Sequence, residues 1–186
     1  MVSITIIITS VSSALALVQS SITATRVGGS QILASNLARE GIEVARSVRD
    51  SNWMAGTAFS AGLTDAASKT ARPILDPATG AWRMVFGGLS PGDEETRLHL
   101  VPEGLYLHAD APPDGSAPSL YRRLMTINHL CRDDAAGNER LETAPAASCN
   151  IGETLAGLAV RSEVSYPSVS GAVRSVVVEG RLYDWR

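Results

Sequence analysis

The chain has 186 residues, of which 45% are hydrophobic and 19% charged, with a net charge of −3. This length fits one domain, or one domain with an appendage, and the hydrophobic content excludes a disordered chain. The net negative charge argues against nucleic-acid binding through a basic face, and two cysteines are too few for a disulfide-dense scaffold.

The N-terminal segment is uncharged, because the first 25 residues contain no Asp, Glu, Lys or Arg. As a helix they would be about 37 Å long, which exceeds the roughly 30 Å hydrocarbon core of a bilayer. The hydroxyl-bearing residues suit close helix packing and can bond back to carbonyls one turn earlier. We predict a membrane or filament-core helix whose aliphatic stripe, at 100° per residue, consists of Ile4, Ile7, Ile8, Val11, Ala14, Leu15 and Val18.

Other structures for this segment were weighed. A secretory signal peptide would use Ala14-Leu15-Ala16 as its cleavage site, but no Lys or Arg precedes the apolar core. A buried strand would be too long, since strands rarely exceed about ten residues. A buried helix of a soluble protein would normally carry some charge over this length.

A second helical pattern follows in residues 31–50, where apolar residues recur at spacings of three and four. We predict that it packs on the rest of the protein through Leu33, Leu37, Gly41, Val44, Val48 and the following Trp53. The outer face carries the i,i+4 pairs Arg39–Glu43 and Arg46–Asp50. Gly28-Gly29 lies between the two halves and is expected to weaken or bend the helix there.

The predicted helix, residues 1–53, is about 50 residues or 75 Å long. The remaining sequence would form a domain with a radius of gyration near 14 Å, which cannot cover that length. We therefore expect part of the helix to protrude. The apolar half is the part that requires lipid or other copies of itself.

Residues 54–186 are predicted to form a β-rich head. Two hairpins are expected, from residues 73–76 with 81–86 and from residues 97–101 with 105–108. Residues 111–118 indicate a loop, residues 121–129 a strand, and residues 158–166 with 174–183 a closing pair of strands. The predicted fold class is α+β: a long N-terminal helix laid on an antiparallel sheet.

The sequence offers no defensible catalytic centre. It has no G-x-S-x-G, Walker or G-x-G-x-x-G motif, and His99, His108 and His129 lie in strand-like runs, so we predict no enzymatic activity and no cofactor. Zinc is unfavoured because no further Cys or His lies at ligand spacing. The acidic runs at residues 93–95 and 133–134 could bind calcium through oxygen ligands, although solvated loop surface is the more ordinary explanation.

Cys131 and Cys149 enclose 17 residues. If the N-terminal segment places the head outside the cytoplasm, these cysteines are expected to form a disulfide. Such a bond would contribute about 3 kcal/mol in the chain-entropy model. The alternative is a pair of free thiols in a cytosolic protein.

The order of an uncharged helix followed by ASNLAREGIEVARSVRDSNW, residues 34–53, resembles type IV pilin-like proteins. The similarity is to minor pilins of the pilus-modification type, whose N-terminal helix runs into L-A-x-E-G-I-E-x-x-R-x-x-R-D-x-N-W. The strand YRRLMTI at residues 121–127 and the closing residues 174–186 also resemble that group. The matching helix positions are Leu37, Ala38, Glu40, Gly41, Ile42, Glu43, Arg46, Arg49, Asp50, Asn52 and Trp53.

The resemblance implies a non-enzymatic filament subunit. It implies an inner-membrane location before assembly, an extracellular filament afterwards, and as partners other pilin subunits and the pilus assembly machinery. Such proteins carry a leader and a helix-start glutamate that this sequence lacks, so we interpret Met1 as internal to a longer gene product. Two alternatives stay open: a type II secretion pseudopilin, or a secreted or membrane-anchored adhesin with a signal segment.

Overall fold

The computed structural model describes residues 2–76, 79–110, 114–144, 149–169 and 171–184. A single long helix, α1, precedes eight strands, with a short 3-10 helix, Glu94–Thr96, before the third of them. The bounds of these elements are α1 Val2–Met54, β1 Thr70–Leu75, β2 Trp82–Phe86, β3 Arg97–Leu100, β4 Tyr106–Leu107, β5 Ala117–Asp133, β6 Glu139–Glu142, β7 Glu153–Pro167 and β8 Val173–Tyr183.

Helix α1 is continuous over 53 residues. Gly28 and Gly29 do not interrupt it, although each glycine costs helix stability relative to alanine. Past the helix end, the Asn52 side-chain amide donates to the carbonyls of Phe59 and Ala61 at 3.1 and 2.7 Å. These bonds fix the segment that leaves the helix.

Strand β5 is the centre of the antiparallel sheet. Residues 122–133 of β5 pair with β7 on one edge, and β7 in turn pairs with β8. The other edge of β5 is shared by three strands at different heights: β3, β1 and β6. The remaining strands continue outward as hairpins, since β2 pairs with β1 and β4 with β3.

The core forms where the second half of α1 lies on this sheet. One cluster joins Ile42, Val44 and Ala45 to strands β1, β2, β5, β7 and β8, and includes Leu63 and Phe59 from the segment after the helix. A second cluster, nearer the N-terminus of the helix, joins Ala34, Leu37 and Ala38 to Leu98, Val164 and Tyr166. The predicted α+β arrangement, a long helix packed on an antiparallel sheet, is confirmed.

Several details differ from the sequence prediction. Strand β5 starts at Ala117, inside the expected 111–118 loop, because residues 117–118 pair with β3. The short strand β6 was not expected, and it adds to β5 next to Cys131. Parts of the predicted 77–80 turn, the 111–118 loop and the closing segment lie outside the described residues, at residues 77–78, 111–113 and 185–186.

On the outer face of α1, the predicted pairs Arg39–Glu43 and Arg46–Asp50 are wrong, because both acids bind other arginines. Arg46 binds Glu43 at 2.6 Å, one turn back, instead of Asp50. Asp50 instead accepts from Arg49 at 2.8 Å. Arg49 is buried and its guanidinium lies 4.5 Å from the centre of the Trp53 ring, so it belongs to the helix end that faces the head.

Candidate membrane and assembly surface

The first half of α1 projects from the head. Every residue from 2 to 26 is exposed, and the first half-buried residues of the helix are Val27, Gly28 and Ser30. The seven residues of the predicted stripe are all exposed, as are Val2, Ile6 and Leu17, which lie outside that stripe. The projecting segment is therefore apolar around most of its circumference, which is typical of helices surrounded by lipid or by other helices.

Several hydroxyl groups on the projecting half bond to carbonyls of the helix itself. Thr5, Thr9 and Ser13 donate their hydroxyl hydrogens to carbonyls three or four residues earlier, at 2.7 to 3.0 Å. Thr23 and Thr25 do the same, each at 2.9 Å. The predicted back-bonding is confirmed, and it removes the need for water at these side chains.

By length and composition, α1 could cross a membrane. It contains an 18-residue window with a mean hydropathy of 1.9, none of which is buried. Signal sequences and some core helices of soluble proteins also have this length and composition. Full exposure on the surface of this protein distinguishes the segment from a core helix.

The second half of α1 is attached to the head by a buried arginine. Arg123 on β5 is fully buried, and its Nη1 donates to the Leu37 carbonyl at 3.1 Å and lies 3.5 Å from Glu40 Oε2. Burial lowers the pKa of Arg123 and the nearby Glu40 carboxylate opposes that shift. Nε and Nη2 of Arg123 have no hydrogen-bond partner among the described residues. The sequence analysis did not identify this arginine, because an Arg in a predicted strand is ordinarily expected to face solvent.

Two glycines allow α1 to approach the sheet closely. A Cβ at Gly41 would lie 2.5 Å from Ser162 Oγ and 3.2 Å from Ser162 Cβ. A Cβ at Gly180 would lie 3.1 Å from Ile42 Cγ2. Both distances are shorter than ordinary contacts, so the helix backbone sits against β7 and β8 with little room for a side chain.

The residues predicted to pack on the sheet lie on the head-facing side of α1. Leu37, Gly41 and Val44 are buried, and the other three are half-buried against the two core clusters: Leu33, Val48 and Trp53. The same face also buries four residues that flank this set: Ala34, Ala38, Ile42 and Ala45. The small alanines bring the helix axis close to the sheet.

Cys131 and Cys149 form a disulfide in the structure. Beside it, Arg140 of β6 binds Glu153 and Glu142 at 2.8 and 2.7 Å. The hydrogen bond from Arg140 to Glu153 is the main cause that lowers the pKa of Glu153 to about 2. Glu153 also accepts from the backbone N–H of Asn150 at 2.8 Å, which fixes the chain next to Cys149.

The arrangement offers little for catalysis or metal binding among the described residues. The sulfurs of Cys131 and Cys149 lie near the Glu153 carboxylate, but they are bonded to each other and cannot act as thiolate ligands. In the predicted acidic runs, Glu94 is bound by Arg97 and Arg122, and Asp133 accepts two backbone N–H groups. These carboxylates already accept hydrogen bonds or ion pairs from other groups of the protein.

The three histidines lie on separate elements. His99 is on β3, His129 is on β5, and His108 follows β4. His108 is buried, with Nδ1 3.2 Å from the Pro73 carbonyl and Nε2 3.0 Å from the Thr96 carbonyl. Burial and the positive charge of Arg123 lower the pKa of His108 to about 3, against the opposing effect of the two carbonyls. His108 is therefore a neutral ring with a single N–H, which can donate to only one of these two carbonyls.

A comparison with protein-family models, curated proteins and solved structures finds no match to this chain. The chain is an α+β protein in which a long N-terminal helix, apolar and exposed in its first half, packs through its second half on an antiparallel sheet.

Proposed function

We propose that the protein is a non-enzymatic subunit of a type IV pilus-like filament, of the minor pilin type, with other pilin subunits and the pilus assembly machinery as partners. The observation that carries the proposal is the division of one continuous helix into an exposed uncharged half and a half packed on the sheet. The resemblance of residues 34–53 to pilus-modification pilins supports the same assignment.

The projecting half of α1 provides the driving force in this proposal. Ten large apolar side chains between residues 2 and 22 are between 49% and 74% exposed. Full burial of each side chain stabilises by about 1.5 to 3 kcal/mol, so exposure to water would be strongly unfavourable. Lipid of the inner membrane covers them before assembly, and the same helix of neighbouring subunits covers them in the filament.

The head remains in the aqueous phase in both locations. Its attachment to α1 is rigid, because Arg123, Gly41 and the two core clusters fix the helix against β5, β7 and β8. Force applied to the helix during assembly is therefore transmitted directly to the sheet. The Cys131–Cys149 disulfide is consistent with an oxidising compartment for the head.

A charge in the projecting half tests the proposal. Leu15→Lys places a lysine at the middle of the uncharged segment, where a charge costs about 3 kcal/mol at the centre of a membrane helix. We expect this variant to be depleted from the inner membrane and from sheared surface filaments, both probed with antibody to the head. The control is Asn36→Lys, at an exposed position of the same helix beyond the uncharged segment.

Two results would contradict the proposal. The first is absence of the unaltered protein from both the sheared filaments and the inner membrane. The second is an exported protein whose N-terminal sequence begins at Leu17, because cleavage after Ala16 would identify a signal segment and favour a secreted adhesin.

A further inference from the structure

The exposed apolar side chains of the head are concentrated at one end. Eight large apolar side chains in the described part of the head are at least 37% exposed. Five of them lie at the end of the sheet formed by the start of β5, the β3–β4 turn and the β7–β8 turn: Leu100, Leu105, Leu120, Val169 and Val173. We call this end the base of the head.

The base lies next to the projecting half of α1. Ser162 of β7 faces Gly41, and Val164 is paired with Arg123, which binds the carbonyl of Leu37. A step of two residues forward along β7 therefore matches a step of about four residues towards the N-terminus of α1. The match is expected, because a strand rises about 3.3 Å per residue and a helix about 1.5 Å.

The same relation locates the tip of the β7–β8 turn. Strand β7 ends at Pro167, three residues beyond Val164, which is a distance of about 10 Å, or about seven helix residues. The turn that carries Val169 therefore begins near the level of Ser30 and extends towards Arg26, the first charged residue of the chain. Val27 and Gly28 are the first half-buried residues of the helix.

Charges divide the base into two sides. The β7–β8 turn carries no charge between Pro167 and Val173, and Arg174 follows it. The opposite corner carries the exposed acids Glu103 and Asp114, close together because Pro102 lies against Gly115. The turn is therefore the side of the base suited to a phospholipid interface, with aliphatic side chains and a neighbouring guanidinium, while the acidic corner is not.

We propose that the tip of the β7–β8 turn, through Val169 and Val173, rests on the interfacial layer of the bilayer that holds α1 before assembly. This inference rests on the proposed membrane anchoring of the helix. The occupant is lipid because the uncharged helix and the aliphatic turn end at the same level. The contact restricts the tilt of the head relative to the membrane, and it is released when the subunit enters a filament.

Site-specific labelling of the full chain tests the contact. Val169→Cys and Val173→Cys accept a bimane fluorophore selectively, because Cys131 and Cys149 are bonded to each other. The labelled protein is reconstituted in vesicles of phosphatidylcholine and phosphatidylglycerol that contain phospholipid spin-labelled at the headgroup. Ile151→Cys is the matched control, since Ile151 is fully exposed, aliphatic and at the far end of the sheet.

We expect quenching at Val169 and Val173 to be several-fold greater than at Ile151. Equal quenching at all three positions, with a label at Leu15→Cys strongly quenched by acyl-chain spin labels, overturns the proposed contact while leaving the anchoring intact. A Leu15 label that lipid does not quench overturns the anchoring and the contact together.

Discussion

At the scale of single residues, the close approach at Gly41 makes the sharpest prediction. We expect Gly41→Ala to lower the free energy of unfolding by up to about 2 kcal/mol, because overpacking costs about 1 to 3 kcal/mol and helix propensity returns about 1 kcal/mol. The clash is with Ser162, whose Oγ would lie 2.5 Å from the new Cβ. Urea denaturation of the purified protein measures the change.

Two variants identify the cause of that loss. Gly29→Ala is the control, since a Cβ at Gly29 meets nothing within 4 Å, and it is expected to cause no loss of stability. Ser162→Gly removes both atoms that Gly41→Ala would contact. The double variant should therefore recover most of the loss in a double-mutant cycle. Additive effects of the two substitutions would show that Ser162 is not the obstacle.

The low pKa of buried His108 predicts how the stability of the protein depends on pH. Its pKa is about 3 in the folded protein, whereas an exposed histidine has a pKa of about 6.5. Below pH 6.5 the unfolded chain binds a proton that the folded protein does not, so stability is fully present above that pH and falls as pH decreases towards 3. The expected slope is up to about 1.4 kcal/mol per pH unit.

The measurement is the free energy of unfolding between pH 6.5 and 4.5, above the range of the lowered carboxyl pKa values of Glu94, Glu142 and Glu153. His108→Gln should flatten the slope. Arg123→Met should raise the pKa of His108, because Arg123 is the second cause of its low value, so the loss of stability should level off at a higher pH. An unchanged slope in His108→Gln would assign the pH dependence to other groups.

At the scale of secondary-structure elements, the disulfide connects the central strand to the chain that precedes β7. The loop it closes spans a sequence separation of 18, for which the chain-entropy model gives about 3 kcal/mol. We expect reduction to lower the free energy of unfolding by about that amount, measured by denaturation with and without dithiothreitol. The Cys131→Ala, Cys149→Ala double variant is the control. A reductant effect in that variant would show that the loss has another origin.

Elements defined by local patterns could be predicted from the sequence, and contacts between elements could not. The helix follows from apolar spacing, and the β1–β2 and β7–β8 pairs follow from alternating residues around turn signals. Strand β6 is only ERLE, and it is a strand because it pairs with β5, so its own sequence carries little signal. The roles of Arg123 and Arg49 depend on burial by distant residues, which no local pattern encodes.

At the scale of the whole molecule, the projecting half of α1 and the head are energetically separable. Every described residue before Val27 is exposed, and neither core cluster includes a residue before Leu33. The head therefore draws its stability from residues 27 onward. The projecting half supplies only attachment to lipid or to other copies.

A fragment of residues 27–186 tests this separation. We expect it to be a soluble monomer whose free energy of unfolding differs from that of the full chain in detergent by less than about 0.5 kcal/mol, because surface changes rarely exceed that value. The full chain should associate when detergent is removed, since its exposed aliphatic side chains then have only one another as partners. Sedimentation velocity and urea denaturation measure the two properties. A fragment that unfolds would show that the projecting half contributes to folding of the head. A full chain that stays monomeric in water would remove the physical basis for membrane anchoring and filament assembly.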